Sequence, residues 1–209
     1  MNIYELEAAS GRKWVWFFSL DGIALPDYQQ SRSFFSSTPV YRIGRNTEAT
    51  PISSAAKLGD CSNVGYTHYP CLSARARAVL RPRVDDLGQW LELQCDEANY
   101  WLFNVTRTAD ALDEAHSEIA RFRDGRVMGI DSFVFIPEKL RGELIFTVPQ
   151  CPSTPILVTQ DFVDLVHEHS LTGFSFRLVW SEENGPVSSR LKDWERPRIT
   201  GLESRTAVG

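Results

Sequence analysis

Gln89-Trp90-Leu91-Glu92-Leu93-Gln94-Cys95, Asp96-Glu97-Ala98-Asn99 and Tyr100-Trp101-Leu102-Phe103-Asn104-Val105 follow one another without a break. In the first run Leu91, Leu93 and Cys95 recur at every second residue, the period at which a strand turns one face to a core. Trp101, Phe103 and Val105 do the same in the third run. The four residues between them are turn formers, so the whole stretch predicts an antiparallel hairpin. Trp90 falls on the other face of the first strand, beside Glu92. An aromatic ring among polar groups on a half-wet face is a common anchor of protein interfaces.

The pattern continues outward from this hairpin. On its amino side, Ser73 is placed to cap a helix with the stripe Leu72, Ala76, Val79 and Leu80, which Pro82 should stop. On its carboxyl side, strands are expected over 131–136, 144–148 and 156–158. Thr159 should then cap a second helix, with Phe162, Leu165, Val166 and His169 on one face. Phe174, Phe176, Leu178 and Trp180 alternate as a last strand. The chain begins with two more strand candidates, Asn2–Glu7 and Trp14–Phe18. Strands outnumber helices and do not alternate with them. The expected class is therefore α+β, a mainly antiparallel sheet with few helices.

Two stretches resist this reading. Residues 21–70 hold four prolines, many serines and only short apolar pieces such as Val40-Tyr41-Arg42-Ile43, and read as a long irregular region. Residues 181–209 are polar and read as a carboxyl-terminal tail. The expected organisation is one domain over 1–180 followed by that tail.

Composition narrows the function classes. The 209 residues are 43% hydrophobic and 23% charged, a globular balance. No run is apolar enough to span a bilayer, and Glu5, Glu7, Arg12 and Lys13 are unlike a basic-then-apolar signal peptide. A cytoplasmic protein with no membrane association is expected. The net charge is −5, and residues 85–131 alone hold eleven acidic against four basic groups. Such a surface repels nucleic acid and attracts basic partners.

The four cysteines, Cys61, Cys71, Cys95 and Cys151, lack the two-residue spacing of zinc or redox motifs. A site joining Cys61, His68 and Cys71 is conceivable, but no metal and no cofactor is expected. His167 and His169 are two apart on a helix and cannot chelate one ion as an i, i+4 pair would. His169, on the apolar stripe, reads as a core or half-buried histidine. Phosphate-binding glycine loops and the nucleophile elbow are absent from the sequence. The richest polar cluster is Asp110-Ala-Leu-Asp113-Glu114-Ala-His116-Ser117-Glu118. Carboxylates, an imidazole and a hydroxyl are the raw material of acid–base chemistry. They equally suit an acidic contact surface, or a turn capped by Asp113 and Ser117.

The order of segments carries a resemblance. Leu72-Ser73-x-Arg75-Ala76-x-x-Val79-Leu80 comes first, then Tyr100-x-x-x-Asn104-Val105 and Asp110-x-Leu112-Asp113-x-x-x-Ser117. Ile145-Phe146, Pro149, Ile156-Leu157-Val158-Thr159 and Leu171-Thr172-Gly173-Phe174-x-Phe176 follow. Over residues 71–180 this resembles the bacterial polymorphic-toxin immunity family numbered eleven, typified by a myxobacterial protein. The resemblance implies a non-enzymatic protein. Its partner would be a cognate toxin or effector, encoded by an adjacent gene and neutralised by stoichiometric binding. The family offers no catalytic residues to transfer. The residues expected to meet a partner, from charge and aromatic placement, are Trp90, Glu92, Asp110, Asp113, Glu114 and Glu118. Two other readings stay open: a small enzyme built on the 110–118 cluster, or a ligand-binding module lined by aromatics. Oligomeric state is not legible.

Overall fold

The computed structural model describes residues 1–9, 16–19, 41–45, 56–64, 69–152, 155–187 and 198–200. Its strands are β1 (Asn2–Ala8), β2 (Trp16–Ser19), β3 (Tyr41–Arg45), β4 (Cys61–Val64), β5 (Cys71–Ser73), β6 (Gly88–Gln94) and β7 (Tyr100–Val105). These are followed by β8 (Glu118–Arg121), β9 (Val127–Ser132), β10 (Ile145–Phe146), β11 (Leu157–Thr159), β12 (Phe174–Ser181), β13 (Gly185–Pro186) and β14 (Arg198–Thr200). The helices are α1 (Ala74–Val84) and α2 (Gln160–Glu168), with a short 3-10 turn at Pro137–Leu140. Two helices among mostly antiparallel strands make this an α+β fold, as the periodicity predicts.

The strands form three sheets. One runs β10-β11-β1-β12-β13, with β14 also paired to β12. A second closes on itself as a six-stranded barrel, β2-β3-β6-β7-β5-β4. The third is the two-stranded hairpin β8–β9. The barrel draws β3 and β4 out of the stretch that reads as irregular. It closes through two parallel pairings, β3 with β6 and β2 with β4. Likewise β13 and β14 come from the polar tail and extend the large sheet along β12.

The 89–105 hairpin forms as expected, but its second strand faces differently. Leu91 pairs with Leu102 and Leu93 with Tyr100, and all four point into the barrel core with Phe17, Ile43 and Cys71. Phe103 and Val105 look outward into a second apolar layer. Both faces of β7 are therefore covered, and only Trp101 is partly open. A strand with core on both sides loses the single-face alternation on which the reading relied.

That outer layer joins barrel to sheet. Phe103, Val105 and Leu72 meet Ala76, Leu80 and Val84 of α1, Phe162, Val163 and Val166 of α2, and Tyr4, Leu6, Phe174 and Phe176 of the large sheet. The opposite face of the large sheet is covered by Ala111, Leu112, Phe133, Phe135 and Leu140, which enclose Ile3, Phe146 and Trp180. Each buried Phe or Leu side chain contributes about 1.5–3 kcal/mol through apolar area removed from water.

Trp180 marks a departure. Phe174 and Phe176 lie in the layer beneath the helices, but Trp180 lies on the other side of the sheet. The register between β1 and β12 shifts at Ile3/Tyr4, so Ile3 pairs with Trp180 and Tyr4 with Leu178. One extra residue in β12 inverts the face of everything beyond it.

Both helices start where the sequence predicts, by different chemistry. Ser73 caps α1, its Oγ accepting from the Ala76 amide at 3.1 Å. Pro82 does not stop α1, which runs on to Val84. Thr159 is the residue before α2, yet its hydroxyl donates to the Glu143 carbonyl at 2.9 Å instead of capping the helix. His169 is exposed, because α2 ends at Glu168 and the chain turns away there.

Candidate functional site

Asp113 organises the acidic segment. Its Oδ1 accepts from the Ala115 amide at 3.1 Å, its Oδ2 lies 2.8 Å from His116 Nδ1, and its carbonyl accepts from Ser117 N at 3.0 Å. The His116 hydrogen bond is the main cause holding the Asp113 carboxyl below the usual aspartate range. Ser117 locks the turn to the neighbouring segment: Val134 N donates to its Oγ at 3.0 Å, and its Oγ donates to the Val134 carbonyl at 3.3 Å. Asp113 N also donates to that carbonyl, at 2.9 Å.

Two other carboxylates of the cluster are tied outward to different groups. Asp110 stands 3.6 Å from Lys139. Glu114 lies 3.4 Å from Arg121 and accepts from Gln150 Nε2 at 2.8 Å. Glu118 is exposed at the start of β8. His116 is itself solvent-facing, its side chain 73% exposed. Only Asp113 meets the imidazole; Asp110 and Glu114 fan out across the surface toward other groups.

The turn leads directly into the β8–β9 hairpin, which carries two of the three large hydrophobic side chains exposed among the described residues. Phe122 is 45% exposed and Met128 57% exposed, with Arg126 stacked 5.4 Å from the Phe122 ring centroid. The same hairpin is held from below by Ile119 and Ile130, packed on the cluster that covers the opposite face of the large sheet. Sequence reasoning missed Phe122 and Met128. Phe122 sits singly between Arg121 and Arg123 and Met128 between Val127 and Gly129, so neither belongs to a long apolar period; their exposure is visible only once the hairpin stands clear of the sheets.

Trp90 and Glu92 form a separate group. Trp90 lies across β6–β7 from Phe103, ring centroids 4.4 Å apart, with the Arg77 guanidinium 5.7 Å from its centroid. Its ring packs against the apolar layer under α1. Its Nε1 is buried without a hydrogen-bond partner. Glu92 is exposed and pairs across the strands with Trp101. Trp90 thus packs on the layer between barrel and large sheet, whereas Ala111 and Leu112 seat the 110–118 turn on the opposite face of that sheet.

Of the conceivable metal ligands, His68 lies outside the described residues. Cys61 and Cys71 point to different cores from adjacent strands. Both thiols are pushed well above their usual range by burial. Among the described residues, no group of three or more His, Cys, Asp or Glu side chains is placed to hold a metal ion. No helix among them is long and apolar enough to cross a membrane.

Comparison with known proteins finds a family similarity over part of the chain. Residues 89–180 match the model of the immunity protein family Imm11, a match covering somewhat under half of the chain. It is the family that the order of segments anticipates, and it runs from β6 to the end of β12, including the acidic turn and the hairpin. The match points to an immunity protein, a class that works through a toxin partner. A search of curated proteins gave no match.

Proposed function

We propose that this chain is an immunity protein that neutralises a cognate bacterial toxin or effector by stoichiometric binding, in the cytoplasm of the cell that makes both. The observation that carries this reading is the Imm11 match over 89–180. In this reading the toxin is encoded by an adjacent gene and the chain performs no catalysis. The exposed His116 and the divergent carboxylates around it favour binding over chemistry.

The contact face we assign is the acidic turn together with the hairpin: Asp110, Asp113, Glu114 and Glu118, with Phe122 and Met128 as apolar anchors. Trp90 and Glu92 are proposed as a second, separate contact region. Charged rims steer a partner of opposite sign, and a few aromatic or Met side chains supply most of the binding energy. A basic toxin surface fits this arrangement.

Co-expression with the product of the adjacent gene tests the proposal. Rescue of growth together with co-elution of the two proteins at equal stoichiometry supports it. Rescue by substoichiometric protein, with no complex formed, replaces binding by catalysis.

A further inference from the structure

We propose that the groove between α1 and Trp101 is a docking site for an acidic, extended peptide segment of a protein partner. The inference holds whether or not that partner is a toxin.

The groove has a volume of about 590 Å³ and is lined by Ala74, Arg77, Ala78, Arg81, Pro82, Asp85 and Trp101. Three features give it a ligand chemistry. First, α1 carries four arginines and no acidic residue, the reverse of the chain's net charge of −5. Arg75 is spent on Asp60, at 2.8 Å. Arg77 and Arg81 line the groove.

Second, Arg77 is positioned but unpaired. Its guanidinium lies 4.6 Å from the Trp101 ring centroid and 5.7 Å from that of Trp90. Its Nε is buried without a hydrogen-bond partner, and among the described residues no carboxylate meets it. A guanidinium held against aromatic rings has already lost much of its side-chain entropy. A carboxylate arriving in the plane of its fork would complete a charge-assisted pair. Arg81 is bonded to Asp85 through Nε at 3.0 Å, which leaves its terminal nitrogens outside that bond.

Third, Pro82 lies inside the helix and has no N–H, so the Ala78 carbonyl lacks its usual α-helical donor. Both residues line the groove. The site therefore offers cationic donors, a backbone acceptor and the Trp101 ring side by side. A peptide presents the matching set: a carboxylate, a backbone N–H and an apolar side chain.

Length favours a peptide over a small anion. Ala74 to Asp85 spans about 16 Å of helix, room for roughly five extended residues. Asp85 lines the site, and Glu92 is the cross-strand neighbour of Trp101. Together with the net negative charge they disfavour the continuous phosphate backbone of a nucleic acid.

The test is selection of displayed random peptides of about twelve residues on the immobilised full chain. The expected outcome is enrichment of sequences with Asp or Glu next to an aromatic or apolar residue. Their affinity should fall about tenfold in Arg77→Gln, the scale of an interface arginine. Because the Arg77 stem packs within the fold, Arg81→Glu at a half-exposed position serves as the second variant, with a several-fold loss expected. An Asp110→Lys/Glu114→Lys variant should bind the peptides unchanged. Absence of enrichment, enrichment without acidic bias, or binding indifferent to both arginine variants overturns the proposal. So does a single-stranded oligonucleotide that binds more tightly than the selected peptides with the same arginine dependence.

Discussion

Asp60 and Thr172, 112 positions apart, hold each other through three hydrogen bonds: Thr172 N and Oγ1 donate to Asp60 Oδ2 at 2.8 and 3.0 Å, and Asp60 N donates to Thr172 Oγ1 at 3.3 Å. The same carboxylate accepts from Ser73 Oγ and Arg75 Nη1, each at 2.8 Å. One nearly buried side chain thus ties the barrel, the start of α1 and the turn after α2 into a single framework. Asp60→Ala would leave the Thr172 amide and both hydroxyls without their acceptor. A loss of roughly 2–4 kcal/mol is expected by urea unfolding, the scale of a broken buried network. A double cycle with Thr172→Val should show coupling of about 1 kcal/mol or more; additive losses would mean the two residues stabilise the fold independently.

The residue after Thr172 makes the same junction sensitive to one methyl group. Gly173 has φ of +80°, and a Cβ there would sit 2.2 Å from the Cys61 carbonyl oxygen. Gly142 has φ of +85° with open space around its Cβ position. Gly142→Ala should therefore cost only the left-handed backbone, about 1 kcal/mol. Gly173→Ala should cost roughly 3 kcal/mol or more, a fall in Tm of about 10 °C for a chain of this size. Equal shifts in the two melting curves would show that the chain at Cys61 yields without cost.

The Asp113 turn should loosen in acid. Its carboxyl is held below the ordinary aspartate value, chiefly by the His116 hydrogen bond. A group with a lowered folded-state pKa contributes its full stability above the unfolded value of about 4 and loses it as pH falls through the folded value. The Ala115 and Ser117 amide resonances should therefore shift only below about pH 4, while core resonances stay in place. In Asp113→Asn that step should vanish. A midpoint at the ordinary aspartate value would show that the His116 bond does not hold in solution.

How much of this was legible depends on how local the cause is. The β6–β7 hairpin and the Ser73 cap could be read, because alternation, turn residues and capping act within a few positions. The barrel could not. It closes through β3 and β4, short pieces in a Pro- and Ser-rich stretch, and through parallel pairings between distant segments that leave no local signature. The bulge that inverts Trp180 is likewise a property of the pairing with β1. At the candidate site, the acidic concentration was evident from the charge count. That Glu114 is drawn to Arg121 and Gln150, and Asp110 to Lys139, depends on which loops meet.

The last prediction separates steering from anchoring at the proposed toxin face. Asp113 builds the turn, so its reversal would perturb structure as well as charge. Asp110 and Glu114 are exposed and make only surface pairs, which are worth about 0–1 kcal/mol each, so reversing them should leave folding intact. Charges at a rim act mainly on the association rate, and their reach shortens as the Debye length falls to about 10 Å at 0.1 M salt. Asp110→Lys/Glu114→Lys should therefore slow association with a basic cognate toxin about tenfold at low salt and flatten its salt dependence, with little change in dissociation. Phe122→Ala and Met128→Ala should do the opposite, leaving association nearly unchanged and speeding dissociation about tenfold or more, as loss of an apolar anchor does. Stopped-flow mixing across a salt series distinguishes the two. If both sets of variants bind with wild-type kinetics, with their folds verified by circular dichroism, the toxin docks on another face.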